Sequence, residues 1–126
     1  MRKQYHFCQV GEDMLIWDVH HLIELSKNFP IQNIELADIQ ELSEAYWFPD
    51  THPTTQQIIE HIQLIQDADL NYPIILCADR RVMDGMYRVA KAQLLNQKMI
   101  QAAQFKETPS PYFMNINEDD LEYDED

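Results

Sequence analysis

Glycine placement constrains the fold of this chain more than any other feature of its sequence. The 126 residues contain only two glycines, Gly11 and Gly85. Gly85 stands between a segment predicted as a strand and one predicted as a helix. A glycine at such a junction usually marks backbone with positive φ or the close approach of another group. The sequence therefore predicts a strand, a tight turn and a helix within residues 73–97.

Apolar periodicity predicts the other elements. The short apolar run over residues 73–77 is typical of a fully buried strand. Thr54 and Gln57 form a capping-box pattern ahead of isoleucines at helical spacing, which predicts a helix over residues 55–67. The remaining predicted elements are a helix over 14–27, a strand over 31–36 with a helical turn after it, a strand over 82–83, a helix over 85–97 and a strand over 99–105. Together they predict an α/β (α+β) fold, a small mixed sheet packed by about three main helices.

Chain length and charge distribution suggest one domain with two flanking segments. A chain of this size supports a single core. We expect an N-terminal helical extension over residues 1–30, a core over 31–106 and an acidic tail over 107–126. Residues 118–126 hold seven of the 22 acidic residues, too dense a charge to bury apolar surface, so the tail is predicted to be disordered. Its expected role is solubility, with binding of a basic protein partner as the alternative.

Composition also excludes several classes of function. The net charge of −13 disfavours direct binding to a nucleic-acid backbone, because that affinity comes from Lys and Arg. No apolar run approaches the length that crosses a bilayer, and the first residues lack an apolar signal core, so we expect a cytoplasmic protein without membrane contact. Cys8 and Cys77 lack metal-ligand spacing, which predicts neither a metal site nor a disulfide framework.

A local positive charge near Gly85 points to an anionic ligand. Four of the nine basic residues lie within residues 80–91, and the helix that Gly85 opens exposes unpaired N–H groups and a positive dipole end. The alternative is that Asp84 caps this helix and the basic side chains are only solvated. The predicted phosphate-binding residues are Gly85, Met86, Tyr87, Arg88 and Lys91.

Residues 73–76, 81–92 and 99–102 resemble the core of the ParB/sulfiredoxin superfamily. In that family a Pro-Ile strand, a strand ending in Gly, a helix with Arg three residues on and an Ile-x-Ala strand recur in this order. The opening strand and short helix of the family resemble residues 31–42, so the likeness covers about 31–105. It implies binding of nucleotide phosphates at the helix start. Branches of the family act as partition-complex CTPases, small-molecule kinases or sulfinic acid reductases.

Compared position by position, the chain matches two of the family's functional residues and lacks residues that two of the family's activities require. Gly85 matches the motif glycine, and Arg88 matches the phosphate-contacting arginine. Met86 stands where sulfiredoxins have their reactive cysteine, and a thioether cannot form the thiolate intermediate. Met86-Tyr87 also replaces the Glu-Arg of partition-type members, which counts against hydrolysis by their route. The family's DNA-binding domain would follow residue 105, where only the acidic tail is seen, so sequence-specific DNA binding is not expected.

Two functions are therefore predicted. The first is binding of a nucleotide, with Mg²⁺, or of another phosphate-bearing ligand, with Asp84 as the catalytic carboxylate, for general-base or magnesium work, if phosphoryl transfer or hydrolysis occurs. His61 and Trp47 are candidates for the pocket wall, although a histidine beside an apolar stripe is more often a packing residue. The second is a non-catalytic interaction module of a chromosome or plasmid partition system or of a mobile element.

Overall fold

The structure is a computed structural model that describes residues 4–122. Seven strands and three α-helices follow one another in this part of the chain. In chain order they are β1 Tyr5–Val10, β2 Asp13–Asp18, α1 Val19–Ser26, β3 Gln32–Glu35, α2 Thr55–Asp67, β4 Ile74–Leu76, β5 Val82–Asp84, α3 Met86–Leu94, β6 Met99–Gln104 and β7 Phe113–Met114. Short 3-10 helices at Leu36–Asp38, Gln40–Ser43 and Glu118–Asp120 complete them.

The larger sheet has the strand order β3-β6-β4-β5. β4 and β6 run parallel, and the two outer strands pair antiparallel with them. All three residues of β4 are buried, as expected for a central strand with both faces covered. The predicted mixed sheet is confirmed, and its predicted strands and the helical turn after β3 lie where the sequence indicated.

Helix α3 covers one face of this sheet with a narrow apolar stripe. Met86, Val89 and Ala92 are buried and belong to the same core cluster as Ile74 and Ala102. Their spacing of three residues keeps them on one side of the helix. The predicted third helix is thus confirmed, and its N-terminus directly follows the C-terminal end of β5.

Helix α2 lies against α3 and begins at the predicted capping box. The Thr54 hydroxyl accepts a hydrogen bond from Gln57 N–H, and the Gln57 side chain accepts one from Thr54 N–H. In the described chain α2 has no buried residue, and Ile58, Ile59 and Ile62 are each about half exposed. This helix is therefore held by few contacts.

The N-terminal segment is a β-hairpin followed by a short helix. The predicted helix over 14–27 is therefore wrong for 14–18 and holds for Val19–Ser26, and within residues 4–30 the predicted helical extension is helical only there. β1 and β2 pair antiparallel along their whole length. Gly11 has φ 61° and takes the first position of the two-residue turn, a placement typical of tight hairpins.

Helix α1 begins later than predicted. Its N-cap is Asp18, whose carboxylate accepts a hydrogen bond of 2.9 Å from His20 N–H. Glu12 and Asp13, which precede the predicted helix, belong to the hairpin turn and to β2. Taken together, the apolar residues of β2 and α1 are spaced as in one amphipathic helix. The strand in fact ends at Asp18, and the helix begins at the next residue.

The segment after β6 packs against this hairpin. β7 pairs antiparallel with β2 and completes a three-stranded sheet β1-β2-β7. The Trp17 Nε1–H donates to the Pro109 carbonyl oxygen at 2.8 Å, and Leu121 is buried. The prediction of a disordered tail over 107–126 is therefore wrong for 109–121, while 123–126 lie outside the described residues.

The described chain thus forms an α+β domain of two small sheets and three helices. Within residues 4–122, no helix combines the length and the apolar character needed to cross a bilayer.

Candidate functional site

The N-terminus of α3 is shaped by Gly85. Its φ of 105° is left-handed, as the sequence predicted, and a Cβ at this position would lie 2.7 Å from Ile74 Cγ2 and 3.0 Å from Arg88 Nη2. Both the backbone conformation and the space therefore favour glycine. The turn at Gly85 joins the end of β5 directly to the start of α3.

No side chain in the described chain caps this helix end. The N-cap residue is Gly85, which makes no side-chain hydrogen bond. The predicted capping role of Asp84 is wrong, because its carboxylate instead accepts a hydrogen bond of 2.7 Å from Arg88 Nη2. The first N–H groups of α3 are thus left without a side-chain acceptor, and the dipole end is not neutralised by a carboxylate placed on it.

Arg88 is held inside the protein. Besides the bond to Asp84, its Nη1 donates to the Pro73 carbonyl oxygen at 2.8 Å. The side chains of Arg88 and Asp84 are only 16% and 13% exposed. Arg88 therefore ties α3 to the start of β4, and contact between its guanidinium and a ligand phosphate stays a prediction.

Lys91 is committed elsewhere. It lies in the last turn of α3, and its Nζ donates to the carbonyl oxygens of Gln66 and Ala68 at 2.8 and 2.7 Å. These are carbonyl groups at the C-terminal end of α2, where a cation is stabilising. The structure thus places the Lys91 ammonium at the α2–α3 junction instead of at the N-terminus of α3.

An aromatic group of Trp47, His61 and Tyr87 lies beside the start of α3. All three residues were predicted to belong to the site. The Tyr87 ring stacks on Trp47 with centroids 4.8 Å apart and an interplanar angle of 15°. Its hydroxyl lies 2.9 Å from His61 Nδ1, and the His61 ring is 5.1 Å from Trp47. Burial raises the pKa of Tyr87. The predicted wall residues Trp47 and His61 do lie together beside the helix tip.

A second polar cluster was not foreseen from the sequence. Glu41 is only 1% exposed, and its Oε2 accepts a hydrogen bond of 2.5 Å from Val82 N–H and lies 3.4 Å from Arg81 Nε. Its Oε1 has no hydrogen-bond partner among the described residues. The acids of residues 40–44 and Arg81 are some 40 residues apart, so local patterning gives no signal for their meeting.

Arg81 is clamped by the acids around it. Its Nη2 and Nη1 bond to the two carboxylate oxygens of Glu44 at 2.6 and 2.9 Å, and Nη1 also donates to Gln40 Oε1 at 3.1 Å. The hydrogen bond from Arg81 is the main cause that lowers the pKa of Glu44. Arg81 therefore has most of its donors satisfied within the protein.

A cavity of about 540 Å³ opens beside this cluster, and Glu41 and Arg81 form part of its wall together with residues of β1. Burial, with Arg81 as a smaller cause, lowers the pKa of His6 to about 4. Burial, aided by the charges of Glu41 and Asp84, raises the pKa of Tyr46 to about 12. Both side chains line the cavity and are neutral near pH 7.

Tyr46 links the cavity to the aromatic group. Its ring makes an edge contact with Trp47 at a centroid distance of 6.0 Å, and Trp47 in turn stacks on Tyr87. A chain of ring contacts therefore runs from the cavity wall to the start of α3.

Two further findings bear on the class of site. Within residues 4–122, no group of three or more His, Cys, Asp or Glu side chains is arranged to hold a metal ion. Comparisons with protein-family models, with curated proteins and with solved structures found no match for this chain.

Proposed function

We propose that this chain is a ParB-like domain that binds the phosphate of a nucleotide, or of another phosphate-bearing ligand, at the N-terminus of α3. The observation that carries the proposal is the uncapped helix start after left-handed Gly85. Backbone N–H groups and the positive dipole end form the usual recognition element for phosphate at such a position. Asp84, the neighbouring acid, is paired with Arg88 and does not occupy it.

The contacts differ from those expected at first. The backbone N–H groups of Met86 and Tyr87 are the main donors in this proposal. Arg88 donates hydrogen bonds to Asp84 and to the Pro73 carbonyl oxygen. Its positive charge therefore neutralises Asp84, the acid nearest to the bound phosphate. A guanidinium has five N–H donors, so Arg88 retains donors beyond these two bonds.

The aromatic group supplies ring surface for the rest of the ligand. Tyr87 belongs to the first turn of α3, and Trp47 is stacked against it. Planar groups such as nucleobases gain about 1–3 kcal/mol by stacking on aromatic side chains. A nucleotide is therefore favoured over inorganic phosphate in this proposal.

Catalysis is not part of the proposal. A nucleotide brings Mg²⁺ with its phosphates, and such an ion takes one or two protein carboxylates. Asp84 is the acid beside the helix tip, and its carboxylate is already paired with Arg88. The residues at the tip thus do not fit a magnesium ion as they are arranged, and we derive no transfer step through it.

A ligand panel tests the proposal. Nucleoside triphosphates, with and without Mg²⁺, should raise the melting temperature, since a ligand at 100 times its Kd stabilises the folded state by about 2.7 kcal/mol. Tyr87→Glu should abolish the shift by placing a negative charge at the helix start while favouring the helix itself. Tyr87→Phe is the matched control and should retain it. Equal shifts for the two variants, or none for wild type, would overturn the proposal.

The interaction module remains the alternative. Its support is the strong negative charge of the chain and the exposed acids of the 3-10 helix Glu118–Asp120. In the same panel it predicts no shift with any nucleotide, together with a basic partner whose binding is lost when the acids of that helix are replaced by amides.

A further inference from the structure

We propose a second binding site that is separate from the proposed phosphate site: the cavity beside Glu41 binds a small organic cation, a primary amine on an apolar body, whose ammonium group donates to Glu41 Oε1. The cavity measures about 540 Å³, which lies within the range of roughly 300–1,000 Å³ typical of small-molecule sites.

The unpartnered oxygen of Glu41 is the first support. Glu41 is almost fully buried and belongs to the cavity wall. One of its oxygens is bonded to Val82 N–H, and the other has no partner within residues 4–122. Buried carboxyl oxygens are nearly always hydrogen-bonded, because an unsatisfied one loses its hydration without replacement. Oε1 has almost no accessible surface of its own, so the carboxylate must turn toward the cavity before a donor delivered there satisfies it.

Formal charge decides the kind of donor. The ionic side chains of the wall are Glu41, Glu44 and Arg81, so the acids exceed the bases by one. Arg81 directs most of its donors to Glu44 and Gln40, which leaves it poorly able to receive an anion. His6, the other basic group of the wall, is neutral near pH 7 because burial lowers its pKa. A cation therefore fits this wall, and a carboxylate or phosphate does not.

The remainder of the wall suits an apolar body. Phe7, Tyr46 and Pro49 are among the residues of the wall. An ammonium beside such rings gains further from cation–π attraction. The cavity wall thus combines one acceptor for the charged end with apolar residues beside the carbon skeleton.

Three probes of similar shape test the charge preference on the unaltered protein. Benzylamine, benzyl alcohol and benzoate should be titrated at pH 7 into ¹⁵N-labelled chain. We expect benzylamine to shift the Val82 amide signal. Its dissociation constant should be at least about tenfold lower than that of benzyl alcohol, which is the difference that one charge-assisted hydrogen bond produces. Benzoate should not bind, and the signals of Met86 and Tyr87 at the other site should not move with benzylamine.

A conservative substitution tests the residue. Glu41→Gln keeps an oxygen for Val82 N–H and presents an amide NH₂ in place of the unpartnered oxygen, so benzylamine binding should weaken by about tenfold or more. Asp38→Asn removes the same formal charge from an exposed position outside the cavity wall and should leave the affinity unchanged.

Several outcomes would overturn the proposal. Equal binding of benzyl alcohol and benzylamine, tighter binding of benzoate, or no response of wild type to any amine would each contradict a cation site at Glu41. Wild-type affinity in Glu41→Gln would do the same. Because the three-probe comparison uses unaltered protein, a poorly folded variant does not rescue the idea.

Discussion

The N-terminus of α3 and the cavity beside Glu41 satisfy their polar groups in opposite ways. At the helix start, the ionic side chains of Asp84 and Arg88 are paired with each other, and the groups left over are backbone N–H donors. At the cavity, the backbone donor of Val82 is satisfied, and the group left over is a side-chain oxygen of Glu41. One region therefore lacks an acceptor and the other lacks a donor.

Positive side chains therefore do not by themselves mark an anion site in this protein. The basic cluster over residues 80–91 suggested one, but Arg81, Arg88 and Lys91 all have partners inside the protein. The preference of each site for a ligand charge follows instead from what is unpaired. We infer an anion at the helix tip and a cation in the cavity.

Removing Arg88 tests the first region most strongly. Arg88→Ala should lower the free energy of unfolding by about 3 kcal/mol, because it leaves a partly buried carboxylate and the Pro73 carbonyl without their donor. Urea denaturation measures the change. If Arg88 served mainly a ligand, the loss would stay below about 1 kcal/mol, as for an exposed ion pair.

A double variant provides the control for this effect. Arg88→Ala combined with Asp84→Asn should be more stable than Arg88→Ala alone, since the unpaired charge is gone. Additive losses would show that the two side chains are not coupled and would weaken the contrast between the regions.

The pH dependence of stability tests the second region. His6 has a folded-state pKa of about 4 against an ordinary value of 6.5, so the unfolded chain binds more protons between these values. The free energy of unfolding should thus be unaffected by His6 above pH 6.5 and should fall by about 2–3 kcal/mol as the pH drops to 4. His6→Phe should flatten this slope, measured by denaturation at several pH values. The same slope in both proteins would contradict a partly buried His6 with a lowered pKa.

Lys91 gives the smallest expected effect. Lys91→Met keeps the aliphatic stem but removes the donor to the carbonyl oxygens at the end of α2, which should cost about 1 kcal/mol. Since α2 has no buried residue in the described chain, amide exchange in its last turn should become faster. Unchanged exchange there would mean that Lys91 does not hold the helix.

The central sheet and its helices could be predicted because their signals are local. The apolar run of β4, the capping box of α2 and the glycine before α3 each lie within a few residues of the element they define. The hairpin was missed because β2 and α1 place apolar residues at spacings that also fit one helix. The Gly11 turn was the signal that could have separated them.

The structure of the tail and of the cavity depends on contacts between residues that are far apart in the sequence, and local sequence patterns do not predict such contacts. β7 is ordered by pairing with β2, some 100 residues earlier, and its two residues, between Pro111 and Asn115, are too few to give a strand signal. Likewise, Glu41 meets Val82 only because the 3-10 helix after β3 packs beside β5. The sequence could indicate the helix tip, but it could not show which basic side chains were already engaged.

Phosphate binding at the start of α3 is tested by an NMR titration of the ¹⁵N-labelled chain with ATP, with and without Mg²⁺. We expect the largest changes at the backbone amides of Met86 and Tyr87, with little change at Val82 beside the cavity. Signals at Met86 and Tyr87 that stay fixed at millimolar ATP, or a response confined to the cavity wall, would contradict it.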